Sequence, residues 1–110
     1  MPGLVALVLV AVQVTSTQAT GVDRVIRSRM GIYRACYQKE LARTPDLHGL
    51  MQVVLEIAPT TGKVVRAEAR GVSGEVSSCV SRNILPLTFP VGAAGTYKFT
   101  ITFFQPVAGP

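Results

Sequence analysis

Residues 51–70 read MQVVLEIAPTTGKVVRAEAR, and this stretch decides the fold class. Met51, Val53, Leu55 and Ile57 alternate with Gln52, Val54 and Glu56, the two-residue period of a strand with one packed face. Pro59-Thr60-Thr61-Gly62 reads as a turn, since proline presets φ and glycine tolerates the backbone of a tight reversal. Beyond it, Val65, Ala67 and Ala69 alternate with Arg66, Glu68 and Arg70. Two alternating runs joined by a short turn make an antiparallel hairpin. The inward alanines are small and leave space for a helix to pack closely.

Helical patterns lie on both sides of this hairpin. Upstream, Val22, Ile26, Met30, Tyr33, Tyr37 and Leu41 recur at spacings of three and four, with Val25, Ile32 and Cys36 widening the stripe. One face of that helix is therefore apolar. Asp23 suits the positive end of the helix dipole. Gly31 weakens the helix by up to about 1 kcal/mol and marks a place for a bend. Pro45 forbids continuation and pushes Thr44 towards an extended conformation.

Downstream, Gly71 to Gly74 reads as a loop with Ser73 as a cap, before a short helix with Val76, Cys79, Val80 and Ile84 on one face. Pro86 ends it, and Gly92 to Gly95 reads as a turn. Tyr97, Phe99, Ile101 and Phe103 then alternate with Lys98, Thr100 and Thr102 in a last strand that Pro106 stops. The expected fold is α+β, in the order α-β-β-α-β: a three-stranded antiparallel sheet with two helices packed on one face. Such a sheet has two open edges, and no proline or bulge in the sequence visibly guards either.

A chain of 110 residues accommodates one domain and one core. With 48% hydrophobic and 15% charged residues, it lies outside the composition of disordered proteins. Leu4 to Val12 is an unbroken apolar run, too short for a membrane-spanning helix, which needs roughly 20 residues. It fits the apolar region of a secretory signal peptide, and Thr17-Gln18-Ala19 offers a cleavage site before Thr20. This reading makes residues 1–19 a leader and 20–110 the domain, and places the protein in the periplasm or outside the cell. No Lys or Arg precedes the run, which departs from the usual signal pattern. The alternative is a buried, valine-rich β-strand of the domain itself.

Cys36 and Cys79 are the only cysteines. An even count in a short exported chain points to a disulfide, which would close a loop of about 44 residues and contribute roughly 4 kcal/mol. Two ordinary buried thiols are the alternative. Of the formal charge of +5, a net of four comes from one segment. Arg24, Arg27, Arg29, Arg34, Lys39 and Arg43 stand there against Asp23 and Glu40. Such a helix either faces an acidic partner or anionic head groups, or is a solvated face.

Little in the sequence supports catalysis. The one histidine, His48, cannot build a histidine metal cluster, and the two cysteines lack zinc-site spacing. No nucleophile turn, phosphate loop or dinucleotide fingerprint occurs. A Cys36–His48 pair is disfavoured because His48 sits at a helix–strand junction. Glu56 and Glu68 face outward on the hairpin, where nothing tunes them for acid–base work. Tyr97, Phe99 and Phe103 alternate as core residues, so no stacking platform for nucleic acid is expected. The expectation is a protein that is no enzyme, with no cofactor, no metal and no small-molecule substrate, and with a protein partner.

In combination, several residues resemble a known family. They are Val25-Ile26, Ile32, Cys36-Tyr37, Leu41, Pro45, Leu47 and Gly49, then Ile57, Gly62, Ala67, Cys79-Val80 and Phe89-Pro90. Over about residues 22–104 the chain is similar to the AgmX/PglI-type C-terminal domain, a TonB-like domain of envelope and gliding-motility proteins. The resemblance implies the same element order, a pairing of the two cysteines and no catalysis. It also implies recognition of a partner protein by adding a strand to a sheet edge, where main-chain hydrogen bonds supply affinity. The edge expected here is the last strand, through Thr96, Lys98, Thr100 and Thr102, with Arg24, Arg27 and Arg34 of the basic helix orienting an envelope partner. Family members usually close a longer, anchored protein, whereas this domain follows the leader almost directly, so a diffusible or accessory module is expected. Two competing readings are a structural subunit or homodimer of an envelope or motility assembly paired through strand edges, and a thiol-dependent enzyme needing free Cys36 or Cys79.

Overall fold

The chain is α+β, in the order β1 (Ala11–Ser16), α1 (Gly21–Arg27), α2 (Met30–Leu41), β2 (Gly49–Ile57), β3 (Val64–Gly71), α3 (Gly74–Ile84) and β4 (Gly95–Phe104). The computed structural model describes residues 11–16, 21–90 and 94–105. The four strands form one antiparallel sheet in the order β1-β4-β2-β3. Met51, Val53, Leu55, Phe99, Ile101 and Phe103 point to one face and are buried with Val12 and Val14, under Val22, Ile26, Tyr33, Tyr37, Val76, Val80 and Ile84 of the helices. Gln13, Gln52, Glu56, Glu68 and Lys98 stand on the opposite, uncovered face and are exposed.

The α+β class and the hairpin are as expected, but the counts of three strands and two helices are corrected. The added strand comes from the stretch read as a leader. In Val12-Gln13-Val14-Thr15 the valines are buried and the residues between them exposed, so this part has the period of a half-buried strand. The rest of the leader, residues 1–10 and 17–19, lies outside the described residues, as do Gly92 and Ala93 of the expected turn at Gly92 to Gly95 and the stop at Pro106. Gly95 itself already belongs to β4.

The added helix arises because the upstream helix breaks at Ser28-Arg29, just before the bend expected at Gly31. Arg29 adopts φ −105°, ψ 18°, and its N–H reaches back only three residues, to the Ile26 carbonyl at 3.2 Å. The Ser28 hydroxyl donates to the Val25 carbonyl at 2.6 Å, a local bond that competes with the helical ladder. The buried Tyr33 hydroxyl donates to the Ile26 carbonyl at 2.9 Å, across the break. Each half can then turn its own apolar face, Val22 and Ile26 or Tyr33, Tyr37 and Leu41, onto the sheet.

One inward position of the hairpin also differs. Glu56 pairs with Arg66 but Ile57 pairs with Val64, so Val65 is the extra residue of a bulge. Val64 takes the place against the core and Val65 is 57% exposed. An inserted residue reverses the alternation beyond it, which a regular period cannot anticipate. The turn closes against the segment before β4: the Phe89 N–H donates to the Gly62 carbonyl at 2.8 Å. Gly62 has φ +70°, and a Cβ there would lie 2.1 Å from the Phe89 carbonyl oxygen, so only glycine fits.

Candidate functional site

β4 is the strand expected to carry partner binding, and its surroundings define the site. On one side β2 pairs with it from Gly49↔Phe103 to Ile57↔Gly95. On the other, β1 pairs from Ala11↔Phe104 to Ser16↔Phe99. The expectation that β4 forms a sheet edge is therefore corrected along Phe99–Phe104, because the Val12–Val14 segment lies beside it. Thr100 and Thr102 face Thr15 and Gln13 of β1, whereas Thr96 and Lys98 lie beyond the register of β1 and are exposed.

The side chains of Thr96, Lys98, Thr100 and Thr102 all stand on the uncovered sheet face. Cross-strand rows run Thr15–Thr100–Gln52–Arg70, then Lys98–Val54–Glu68, then Thr96–Glu56–Arg66. Thr15, Gln52, Val54, Lys98 and Thr100 line an open depression of about 470 Å³ on this face. Glu56 is thus set between Thr96 and Arg66, and Glu68 lies opposite Val54, so the two carboxylates do not face each other.

Among the described residues the sheet's edges are β1 and β3, and they differ. β3 carries the bulge at Val65 and the charged side chains Arg66, Glu68 and Arg70, devices that discourage pairing with another chain. β1, reading AVQVTS, contains no charge, proline or register shift. Its outer side has no pairing strand among the described residues.

The basic residues do not share one continuous helix. Arg24 and Arg27 lie on α1 and Arg34 on α2, on either side of the break, and all three are exposed. Arg27 is committed to Asp23, with Nε 2.7 Å from Oδ2. Arg24 and Arg34 have no carboxylate within 4.0 Å among the described residues.

The two cysteines form a disulfide that ties α2 to α3, with Cα atoms 5.8 Å apart. Neither thiol is free, whereas the thiol-dependent reading and the Cys36–His48 pair both need a free thiol. His48 is exposed, with Nδ1 2.8 Å from the Asp46 carbonyl oxygen. The Asn83 amide donates to the Cys79 carbonyl at 2.7 Å and lies 3.8 and 3.9 Å from the two sulfurs. Lys39, Glu40, Arg43, Glu75 and Arg82 surround a shallow hollow beside the bridge. Among the described residues, no three His, Cys, Asp or Glu side chains gather into a metal-binding group, and no helix is long and apolar enough to cross a membrane.

The residues of β1 enter the sequence reading only as the alternative to a leader, and none of them is among the expected site residues. Their signal was present in the alternation of Val12 and Val14 with Gln13 and Thr15, but Val12 also ends the apolar run that reads as a leader. Comparison of the chain with protein-family models, curated proteins and solved structures finds no match. The family resemblance therefore rests on the residues quoted for it above.

Proposed function

We propose that this chain is a non-catalytic, exported protein-binding module of the cell envelope, of the AgmX/PglI or TonB-like kind. Its partner binds by pairing a strand with the flank of β4 that faces away from β2, the flank on which β1 lies along Phe99–Phe104. One observation carries this reading: that flank supports a six-residue antiparallel pairing, Ala11–Ser16 against Phe99–Phe104, in which Val12 and Val14 of the added strand are buried. Backbone groups complementary to an extended segment are what strand addition requires. Thr96 and Lys98 extend the same flank beyond β1, and exposed Arg24 and Arg34 supply a positive field that steers an acidic partner. The Cys36–Cys79 bridge is compatible with export, since oxidising compartments preserve disulfides.

Site-specific photo-crosslinking in the native cells tests this. A photoreactive residue at Lys98 is expected to give an adduct with an envelope protein, while one at Val65 on the opposite edge gives none. Reversing the charges at Arg24 and Arg34 should slow association of the isolated pair, more so at low salt. A verified partner captured equally from both edges, and indifferent to charge reversal, would falsify the reading. Proline at Thr100 is not a clean probe, because β4 is paired on both sides there.

A second reading has its own observation. The uncharged outer side of β1 is a template for a second copy, giving a homodimer paired through strand edges. A monomer mass that stays constant over a wide concentration range removes it.

A further inference from the structure

β4 is held unequally on its two sides. β2 pairs with it along almost its whole length and is itself anchored by β3. β1 covers only Phe99–Phe104, has no further strand behind it among the described residues, and buries Val12 and Val14, with Gln13 and Thr15 exposed. Its contacts with α1 and α2 are sparse beside those with β4. An outer strand with one ladder and two buried side chains belongs to the low-stability end of a fold, where local opening precedes global unfolding.

We propose that β1 is a resident strand, holding the outer flank of β4 in cis, and that the partner's strand binds by taking its place. This rests on the reading of β4 as a strand acceptor and adds that the acceptor is normally occupied, by residues 11–16 that stay on the exported chain and are not removed with a leader ending at Ala19. It also states the chemistry of the partner segment. The segment is extended, runs antiparallel to Phe99–Phe104, and has no proline within the paired stretch. It carries two β-branched apolar residues two positions apart, which enter the places of Val14 opposite Ile101 and Val12 opposite Phe103, with polar residues between them. Occupancy by β1 then sets the apparent affinity: a flank open in about one molecule in a hundred binds about a hundredfold more weakly than an open one.

The test uses the full chain and a fluorescent synthetic peptide copying residues 10–17, VAVQVTST. Peptide binding is measured by anisotropy for the natural chain and for Val12→Asp/Val14→Asp, whose buried carboxylates unseat β1. Hydrogen exchange of the Phe99–Phe104 amides is followed alongside. The variant should bind the peptide at least about tenfold more tightly than the natural chain. Those β4 amides that face β1 should lose protection in the variant and recover it with peptide, while β2–β3 amides stay protected throughout. A peptide with aspartate at both valine positions should not bind. Should the aspartates also unprotect β2–β3, Val12→Ala/Val14→Ala replaces them with the same readouts. Equal peptide affinity in both proteins, or a flank that stays protected in the variants, overturns the resident strand alone. A flank that opens but takes up no peptide overturns the strand-acceptor reading itself.

Discussion

Tyr33 and Tyr37 are the largest fully buried side chains of the core, and both carry a hydroxyl into it. Tyr33 donates to the Ile26 carbonyl and Tyr37 to the Leu47 carbonyl, while the Tyr37 ring packs on Phe103 with centroids 5.0 Å apart, tilted by 57°. Burial raises the Tyr33 pKa well above its ordinary value of 10.0, with the Arg29 charge opposing more weakly. Burial also raises that of Tyr37, against the smaller effect of Gln105. The folded state thus holds the neutral phenols. Their contribution to stability is complete below about pH 10, the unfolded value, and is lost as pH rises from there through the folded values. Urea unfolding between about pH 9 and pH 11 should show stability falling at the alkaline end. Tyr33→Phe should weaken that fall while costing about 0.5–1.5 kcal/mol at neutral pH for the lost hydrogen bond. A variant with an unchanged alkaline slope would assign the loss to other groups.

Helix α3 begins as its sequence anticipates. Ser73 has an extended backbone, and its Oγ accepts from the Val76 N–H at 3.1 Å. Ser73→Ala leaves that N–H without its cap and should cost about 1 kcal/mol, read as a lower urea midpoint with faster exchange of the Val76 amide. The continuous periodicity over 22–41 indicates one helix because side-chain period says nothing about the backbone between two packed faces. The break is a tertiary matter: Tyr33, seven residues on, reaches back to the Ile26 carbonyl. Val65 is a similar case, since its place in the bulge follows from pairing with Glu56 and Ile57 and not from its own neighbours. The alternation of Tyr97 to Phe103, by contrast, was fully legible, with Phe99, Ile101 and Phe103 all buried.

The Cys36–Cys79 bridge, spanning a sequence separation of 43, acts on the whole molecule by restricting the unfolded chain. Cys36→Ser/Cys79→Ser should lose roughly 4 kcal/mol, a large part of the 5–15 kcal/mol typical of domains. The check is urea unfolding of the variant beside the oxidised protein. A loss below about 1 kcal/mol would mean that the helices hold their places without the tie. The bridge joins α2 and α3, while β1 lies on the far edge of the sheet from β3, over which α3 packs. The β4 flank should therefore keep its peptide-binding behaviour in this variant under conditions where it is folded. Loss of peptide uptake by the folded variant would show that the two ends of the sheet are coupled.

Local chemistry in the sequence was enough to determine the α+β class, the 51–70 hairpin, the Ser73 cap, the apolar helix faces and the inward alternation of the last strand. Each depends on a period or on a residue's own backbone preference, and both are short-range properties. Tertiary structure alone decided which strands neighbour each other. Val12 and Val14 read first as the end of a leader, with a strand as the alternative, until Ile101 and Phe103 lie opposite them. The expected binding edge moved for that reason. Strand order is set by burial and hydrogen bonding between segments about ninety residues apart, and no local pattern records which of two available flanks an extended segment will occupy.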